Sequence, residues 1–211
     1  MIVKDTFKYK ISVFVIWLFT ISGVIGILSP YSDWFLSMTP LNLILYFIII
    51  LLNLKTFHKH LFLAFSIPFL LGFITEALGV NYGLVYGSYS YGNNLGPKII
   101  GVPFLICINW VVLTVASSDI ARSITKNKWV SVVLGALLMT ALDVLIEVSA
   151  PRFDFWEFEN GIVPLQNYIG WFVTSLLAHA AYQNLNVKTN RPLSWHVYIS
   201  IAVFFGVFIF V

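Results

Sequence analysis

Seven long apolar stretches, separated by short polar segments, dominate this sequence. A helix needs about 20 mostly apolar residues to cross the hydrocarbon core of a bilayer. Because backbone polar groups in lipid must be satisfied within the segment, stretches of this kind predict helices. We therefore predict an all-α polytopic transmembrane bundle, a single integral membrane domain over residues 1–211 with about seven spans. The predicted spans are residues 11–28, 40–54, 61–79, 99–117, 129–149, 167–185 and 194–211.

The composition excludes an ordinary soluble domain. Hydrophobic residues make up 59% of the chain and charged residues 10%, against roughly 45–50% and 25% in soluble proteins. The net charge is +3 with no long basic run, so we expect no nucleic-acid partner. The first apolar stretch is longer than the apolar core of a signal peptide, which favours a retained first helix. The expected location is the cell (inner) membrane, as a multi-pass protein.

The cations predict the orientation. With seven spans, ten of the 12 Lys and Arg residues fall on the side of the N-terminus, and only Lys98 and Arg152 fall on the other side. Positively charged loops stay in the cytoplasm. The N-terminus is therefore predicted to lie inside and the C-terminus outside.

The two predicted outer loops are rich in aromatic residues. Residues 80–98 interleave four tyrosines with four glycines, and residues 150–166 hold three phenylalanines and a tryptophan among acidic residues. This composition is typical of a folded-back, turn-rich segment at the membrane interface. We expect the functional face of the protein on this side.

A short repeat accompanies the two loops. Residues 102–110 and 163–171 each begin with Val-Pro and end with a tryptophan, Trp110 or Trp171. Each stretch follows an aromatic loop, and each loop follows a helix with a glutamate near its end, Glu76 or Glu147. The repeat suggests two parallel helical hairpins that enclose one site.

Three carboxyl groups, Glu76, Asp143 and Glu147, fall within the predicted spans. A charge inside a bilayer is costly, so each is a candidate functional residue, with snorkelling to the interface as the alternative. Asp143 and Glu147 lie four residues apart, which puts both on one helical face. Two like charges so close in a low dielectric do not both stay ionised, so one carboxyl should hold a proton near neutral pH.

For the other polar residues in or next to the spans we expect simpler roles. Asn109 and Asn167 are hydrogen-bond partners for the carboxyls or contacts between helices. Asp119 is expected at a solvated helix end. Cys107, the single cysteine, sits in an apolar run and is expected to be a small buried hydrophobe.

Carboxyls, aromatic rings and amides are suited to protonating an unactivated double bond. A buried carboxylic acid can donate the proton, aromatic faces can stabilise the carbocation, and a second carboxylate can deprotonate a water. The four histidines are too few for a membrane di-iron centre, and no glycine-rich phosphate loop is present. The alternatives are a proton-coupled membrane transporter and a non-catalytic membrane scaffold.

Three segments, residues 39–45, 75–110 and 141–172, resemble the carotenoid biosynthesis membrane proteins that include the carotenoid 1′,2′-hydratases. The resemblance extends over about residues 20–185. It implies addition of water to the C1′,2′ double bond of an acyclic carotenoid end group, without a redox cofactor. Carboxylates alone are weak evidence for a metal site, so we expect no metal. The resemblance also implies a carotenoid substrate taken from the lipid phase, and other pigment-synthesis enzymes are possible partners. The alternative within enzymes is a carotenoid end-group cyclase or isomerase.

The resemblance also suggests the site residues. We expect Asp143 and Glu147 to share the acid and water-activating roles, with Glu76 as the alternative acid. The expected substrate-binding residues are Asn81, Tyr89, Tyr91, Lys98, Asn109, Trp110, Trp156, Asn167 and Trp171.

Overall fold

The computed structural model describes residues 2–55, 60–185 and 187–211, without the side chains of residues 2–5. The described chain is 72% helical. Its α-helices are α1 (Ile2–Ile27), α2 (Ser32–Ser37), α3 (Thr39–Leu52), α4 (Leu61–Tyr82), α5 (Phe104–Ile124), α6 (Lys128–Glu147), α7 (Leu165–Asn184) and α8 (Arg191–Val207). Its strands are β1 (Tyr89–Tyr91), β2 (Lys98–Ile99), β3 (Val102–Pro103) and β4 (Trp156–Phe158), and a 3-10 turn follows at Glu159–Gly161.

Each of the seven predicted spans overlaps a helix. Among the described residues, four helical segments are long and apolar enough to cross a membrane, namely Thr6–Ile27, Leu61–Tyr82, Phe104–Ile124 and Lys128–Glu147. Helix α3 is apolar but only 14 residues long. The span count of seven and the orientation stay predictions, and Lys59, one of the cations counted for orientation, lies outside the described residues.

The fourth predicted span begins too early. Residues 99–117 were expected, but α5 covers Phe104–Ile124. Ile99 belongs to β2, and Ile100 and Gly101 have positive φ angles of 52° and 80°, so the chain turns here. Pro103 then disfavours the helical conformation for the residue before it, and the helix starts only after the proline.

Helix α5 lies at the centre of the bundle. In its most apolar stretch 83% of the residues are buried, against 22% in α1 and 28% in α4. Helices α3, α4, α6, α7 and α8 all pack against it. The outer helices expose apolar side chains such as Phe14 and Leu70, which is the pattern of a bundle surrounded by lipid.

The two aromatic loops form a joint structure that the all-α expectation did not include. Strand β1 pairs antiparallel with β4, with Tyr89 opposite Phe158 and Tyr91 opposite Trp156. Strands β2 and β3 form a separate small hairpin between β1 and α5. The pairing of β1 with β4 fastens the α4–α5 connection to the α6–α7 connection. We call these two connections, residues 83–103 and 148–164, the loop end.

The expectation that Asp119 lies at a solvated helix end was wrong. Only 2% of Asp119 is exposed. Its carboxyl accepts hydrogen bonds from Thr189 Oγ1 (2.5 and 2.6 Å) and Ser194 Oγ (2.6 Å). The first turn of α8 and the residues before it therefore cover this part of α5 and supply the partners that a buried carboxyl requires.

Tyr46 connects α3 to two other helices. Its Oη lies 2.9 Å from Ser200 Oγ on α8 and 3.3 Å from Thr20 Oγ1 on α1. All three side chains are buried. A buried hydrogen bond contributes net stability because its groups would otherwise be desolvated without partners.

We therefore expect Tyr46→Phe to lower the stability of the protein by about 1–2 kcal/mol, since it removes both hydrogen bonds. The measurement is the thermal unfolding midpoint of the protein in detergent. Tyr31→Phe is the matched control, because Tyr31 is 71% exposed. Equal midpoints for the two variants would contradict the prediction.

Candidate functional site

Glu76 is buried on α4 and receives three hydrogen bonds. Tyr91 Oη donates to its Oε2 at 2.7 Å, and Trp110 Nε1 donates to its Oε1 at 3.0 Å. Tyr89 Oη also donates to Oε2. The donors come from β1 and α5, so the carboxyl joins three elements. Only 3% of Glu76 is exposed.

Two glycines on the same face of α4 make room for these rings. Gly72 and Gly79 flank Glu76 at helical spacings of four and three residues. A Cβ atom at Gly72 would lie 2.4 Å from Trp110 Cδ1, and one at Gly79 would lie 2.6 Å from Tyr89 Cε1. Real Cβ atoms do not approach so closely, so any larger residue would displace a ring that donates to Glu76.

The two phenols act as permanent donors. Burial, followed by the nearby Glu76 charge, raises the pKa of Tyr89 and of Tyr91 well above the ordinary value for tyrosine. Both hydroxyls therefore keep their protons throughout the physiological range. A carboxyl that faces only donors is best satisfied as the ionised carboxylate, which accepts at both oxygens.

Asp143 and Glu147 form a second acidic group, joined by an amide. Asn167 Nδ2, in the first turn of α7, donates to Asp143 Oδ2 at 2.8 Å and to Glu147 Oε1 at 3.1 Å. Trp156 Nε1 on β4 donates to Glu147 Oε2 at 3.0 Å. Asp143 Oδ1 is buried and has no hydrogen-bond partner among the described residues. A buried carboxyl oxygen without a donor favours a pair that holds one proton, shared between Asp143 and Glu147.

The repeated Val-Pro segments bring two tryptophans together. Pro103 and Pro164 are both extended and directly precede α5 and α7. Trp110 and Trp171 each follow their proline by seven residues, two helical turns into the helix. Their rings stack with centroids 4.4 Å apart and an interplanar angle of 17°. The two halves of the repeat thus meet at one aromatic pair.

Two neighbouring cavities lie at this place. The smaller, of about 30 Å³, contacts both acidic groups through Glu76 and Glu147. The larger, of about 80 Å³, is mostly apolar and lies among α1, α3, α5, α6, α8 and the loop that follows α6. Four residues line both cavities, namely Ile106, Asn109, Ile146 and Trp156. The smaller cavity has room for water, and its carboxyl and amide groups are the partners that an ordered water needs.

Nine of the twelve residues expected from the sequence line the smaller cavity. They are Glu76, Tyr89, Tyr91, Asn109, Trp110, Glu147, Trp156, Asn167 and Trp171. Asp143 is not among the residues that line the cavity, but it accepts a hydrogen bond from Asn167, which is. The structure does not bring Asn81 and Lys98 to the cavity.

Asn81 and Lys98 instead support the loop end. Asn81 is exposed, and its Nδ2 donates to Ala77 O at 2.9 Å and to Ile100 O at 3.0 Å. Lys98 Nζ donates to the carbonyl oxygen of Tyr91 at 2.5 Å. Asn81 thus fastens the turn between β2 and β3 to α4, and Lys98 joins β2 to β1, which carries Tyr89 and Tyr91.

Sequence reasoning missed Tyr86 as a site residue. Tyr86 is 1% exposed and lines the smaller cavity. Its Oη is hydrogen-bonded to Thr75 Oγ1 at 2.8 Å and donates to Thr174 Oγ1 at 3.3 Å, which joins α4 to α7. Four tyrosines share this region, and Tyr82 is 73% exposed. No local pattern distinguishes Tyr86 from Tyr82, because the difference arises from the path of the chain after α4.

Phe158, Ile106 and Ile146 also line the smaller cavity and were not expected there. Apolar residues of these types occur throughout the chain, so the sequence carries no signal for them. Among the residues that the structure describes, no group of three or more His, Cys, Asp or Glu side chains is placed to hold a metal ion.

Comparison with known proteins identifies relatives. The sequence model of a family described as carotenoid biosynthesis protein matches residues 38–211. The bisanhydrobacterioruberin hydratase of Haloarcula japonica is 30% identical over 111 residues, which cover 49% of this chain. The match covers 38% of the length of that hydratase. No solved structure is significantly similar to this chain.

The close contact of Gly79 with Tyr89 generates a testable prediction. Gly79→Ala should lower stability by about 1–3 kcal/mol, because the added methyl group overpacks the ring that donates to Glu76. The thermal unfolding midpoint and the near-ultraviolet circular dichroism of the aromatic cluster report the change.

Gly206→Ala is the control for the helical glycine, because a Cβ there has no neighbour within 4 Å. Its midpoint should stay unchanged or rise slightly, since alanine favours helix over glycine. If Gly79→Ala unfolds at the same temperature as Gly206→Ala or higher, the proposed packing constraint is wrong.

Proposed function

Because the chain belongs to the carotenoid biosynthesis protein family, we propose that it is a cofactor-independent carotenoid 1′,2′-hydratase. The reaction adds water across the terminal double bond of an acyclic carotenoid end group and gives a tertiary alcohol. One observation carries the proposal, namely that the Asp143–Asn167–Glu147 group and the fully hydrogen-bonded Glu76 contact one small cavity walled by aromatic rings. The name of the Haloarcula japonica relative, a hydratase, supports the same chemistry.

The acidic pair supplies the proton in this mechanism. Asp143 and Glu147 share one amide donor in a buried setting, and two ionised carboxylates there would repel each other, so the pair holds one proton. Glu147 lines the cavity, whereas Asp143 does not. Glu147 therefore delivers the proton to C2′, and Asp143 shares the proton and keeps the acid neutral when the substrate is absent.

The tertiary cation that forms at C1′ is stabilised by charge and by aromatic faces. Glu76 receives three donors and stays ionised, so its negative charge favours a cation in the same cavity. The rings of Tyr86, Trp110 and Trp171 line this cavity and offer their electron-rich faces. Because the rings are packed against one another, their placement requires no reorganisation during the reaction.

Water capture completes the reaction. A water in the smaller cavity attacks C1′ through its oxygen, and Glu147, now ionised, takes the proton that the water releases. The carbon–oxygen bond forms as the oxygen–hydrogen bond breaks, and the acid is regenerated. One alkene and one water thus give one tertiary alcohol, with no electron donor or acceptor.

The larger cavity suits the isoprenoid part of the substrate. It is mostly apolar, and it adjoins the carboxyl groups at Asn109 and Trp156. A carotenoid that enters from the lipid phase would lie along this cavity with its end group toward Glu147. Asn109, Trp156 and Trp171 would contact the end group, whereas Asn81 and Lys98 would act by positioning the loop end.

The proposed setting is the cell (inner) membrane. Four helices long enough to span it support a membrane protein. We propose a multi-pass arrangement with the N-terminus inside, in which the loop end with its aromatic residues lies at the outer interface. Lipids and other pigment-synthesis enzymes are the proposed partners.

The reaction can be tested in cells that accumulate lycopene or γ-carotene and express this chain. Mass spectrometry of the extracted pigments should show a product heavier by one water. The amide variants Glu147→Gln, Asp143→Asn and Glu76→Gln should lower product formation by at least about 100-fold, because they remove the acid or the stabilising charge.

Glu157→Gln is the matched control, because Glu157 lies on β4 but its side chain is exposed. Its product yield should equal that of the unchanged protein. Full activity in all three amide variants would refute the mechanism. A product of unchanged mass but different retention would indicate cyclisation or isomerisation instead of hydration.

Tyr91 provides a finer test of the role of Glu76. Tyr91→Phe removes a donor to a charged carboxylate and should lower the hydration rate by about 10- to 100-fold. Tyr82→Phe, at an exposed position of the same region, should leave the rate unchanged. Rates are compared in isolated membranes with equal amounts of protein, and a rate for Tyr91→Phe equal to that of Tyr82→Phe would argue against an ionised Glu76.

A further inference from the structure

A second polar cavity lies at the end of the bundle opposite the loop end, where α5 ends and where α6 and α8 begin. Its volume is about 570 Å³. Its lining includes four cations and two buried polar side chains, namely Arg122, Lys126, Lys128, Arg191, Ser131 and Gln183. None of them belongs to the site proposed for hydration.

The charge around this cavity is strongly positive. Four cations line it, and no Asp or Glu occurs among the described lining residues. Asp119 interacts electrostatically with Arg122 and Arg191, but its carboxyl is buried and already accepts hydrogen bonds from Thr189 and Ser194. The charge of the four cations therefore exceeds the single negative charge that Asp119 can carry.

Two buried hydrogen-bond donors line the same cavity without a partner. Ser131 is 1% exposed and Gln183 is 5% exposed. The hydroxyl of Ser131 and the amide nitrogen of Gln183 lack hydrogen-bond partners among the described residues. Buried donors are rarely left unsatisfied in folded proteins, so the two groups indicate a ligand that brings acceptor oxygens.

The positions of two helix N-termini also favour an anion in this cavity. Helices α6 and α8 both begin at the cavity, at Lys128 and Arg191. The N-terminal end of a helix carries partial positive charge, which favours anions. The two helix ends and the four cations therefore act in the same direction.

We propose that this cavity binds a phosphate group. A phosphate offers several acceptor oxygens, and a guanidinium group pairs with two of them at once. Arg122 and Arg191 would hold the charge, and Ser131 and Gln183 would donate to oxygens that reach the buried wall. The phosphate comes either from the headgroup of an anionic phospholipid or from a soluble phosphate or diphosphate. Basic pockets between membrane helices commonly bind such headgroups.

The test uses the full chain, purified in a neutral detergent. The probes are phosphatidylglycerol, followed by native mass spectrometry, and inorganic phosphate and pyrophosphate, followed by the shift in the thermal unfolding midpoint. Arg122→Gln and Arg191→Gln should each weaken binding by about 10- to 100-fold, since each removes charged hydrogen bonds to the ligand. Lys10→Gln is the matched control, because Lys10 is an exposed cation outside the cavity.

Gln183→Leu separates a binding role from a structural one. Because the amide donor is lost, we expect this variant to need about tenfold more ligand, or more, to reach the same shift in the unfolding midpoint. A purely structural residue would alter the midpoint of the ligand-free protein and leave the ligand-induced shift unchanged, which would count against the proposal.

The outcomes also identify the source of the phosphate. Retained phosphatidylglycerol that is lost in Arg122→Gln supports a lipid headgroup. Stabilisation by inorganic phosphate or pyrophosphate without lipid retention supports a soluble ligand. The proposal is overturned if no probe binds, or if Arg122→Gln and Lys10→Gln bind the probes equally.

Discussion

The cost of burying a carboxyl group among apolar helices governs the architecture of this protein. An unpartnered charge at membrane depth costs several kcal/mol, so each buried acid must be surrounded by donors or hold a proton. Glu76 is satisfied by Tyr89, Tyr91 and Trp110, which belong to other elements. The helix can supply only the space, and Gly72 and Gly79 do so. The loop between α4 and α5 folds back over the bundle because its tyrosines are the donors that the buried acid requires.

The same constraint distinguishes the two acidic groups and gives each a different chemical capacity. Glu76 faces only donors, which suits a fixed negative charge. Asp143 and Glu147 share one amide, and Asp143 Oδ1 remains without a partner, which suits a shared proton. A fixed charge and a mobile proton on one cavity are the components that acid-initiated addition to a double bond requires.

At the opposite end of the bundle Asp119 is satisfied by hydroxyls, and cations line an open cavity. The cation-lined cavity and the cavity lined by Glu76 and Glu147 thus lie at opposite ends of the central helix.

Much of this arrangement follows from local patterns that can be read along the chain. Apolar length predicted a helix at every position where a span was expected, because backbone groups in lipid have no alternative partners. The spacing of Asp143 and Glu147 predicted a shared face, and Asn167 bonds to both carboxyls. The Val-Pro repeat predicted two helical hairpins that enclose one site, and the tryptophans of its two halves stack on each other. These predictions succeeded because each depends on helical periodicity or on the conformational limits of proline.

What the sequence determined by itself is the helical, membrane-type composition of the chain and most of the residues that line the smaller cavity. Only the tertiary structure decided that β1 pairs with β4, that Tyr86 is buried while Tyr82 is exposed, and that Asp119 is covered by the start of α8. It also decided that Asn81 and Lys98 hold the loop end and do not reach the cavity. The physical reason is that burial and strand pairing depend on which distant segments meet. A helical face is fixed by residues three and four positions apart, whereas the strand partner of Tyr89 is Phe158, 69 residues further along the chain.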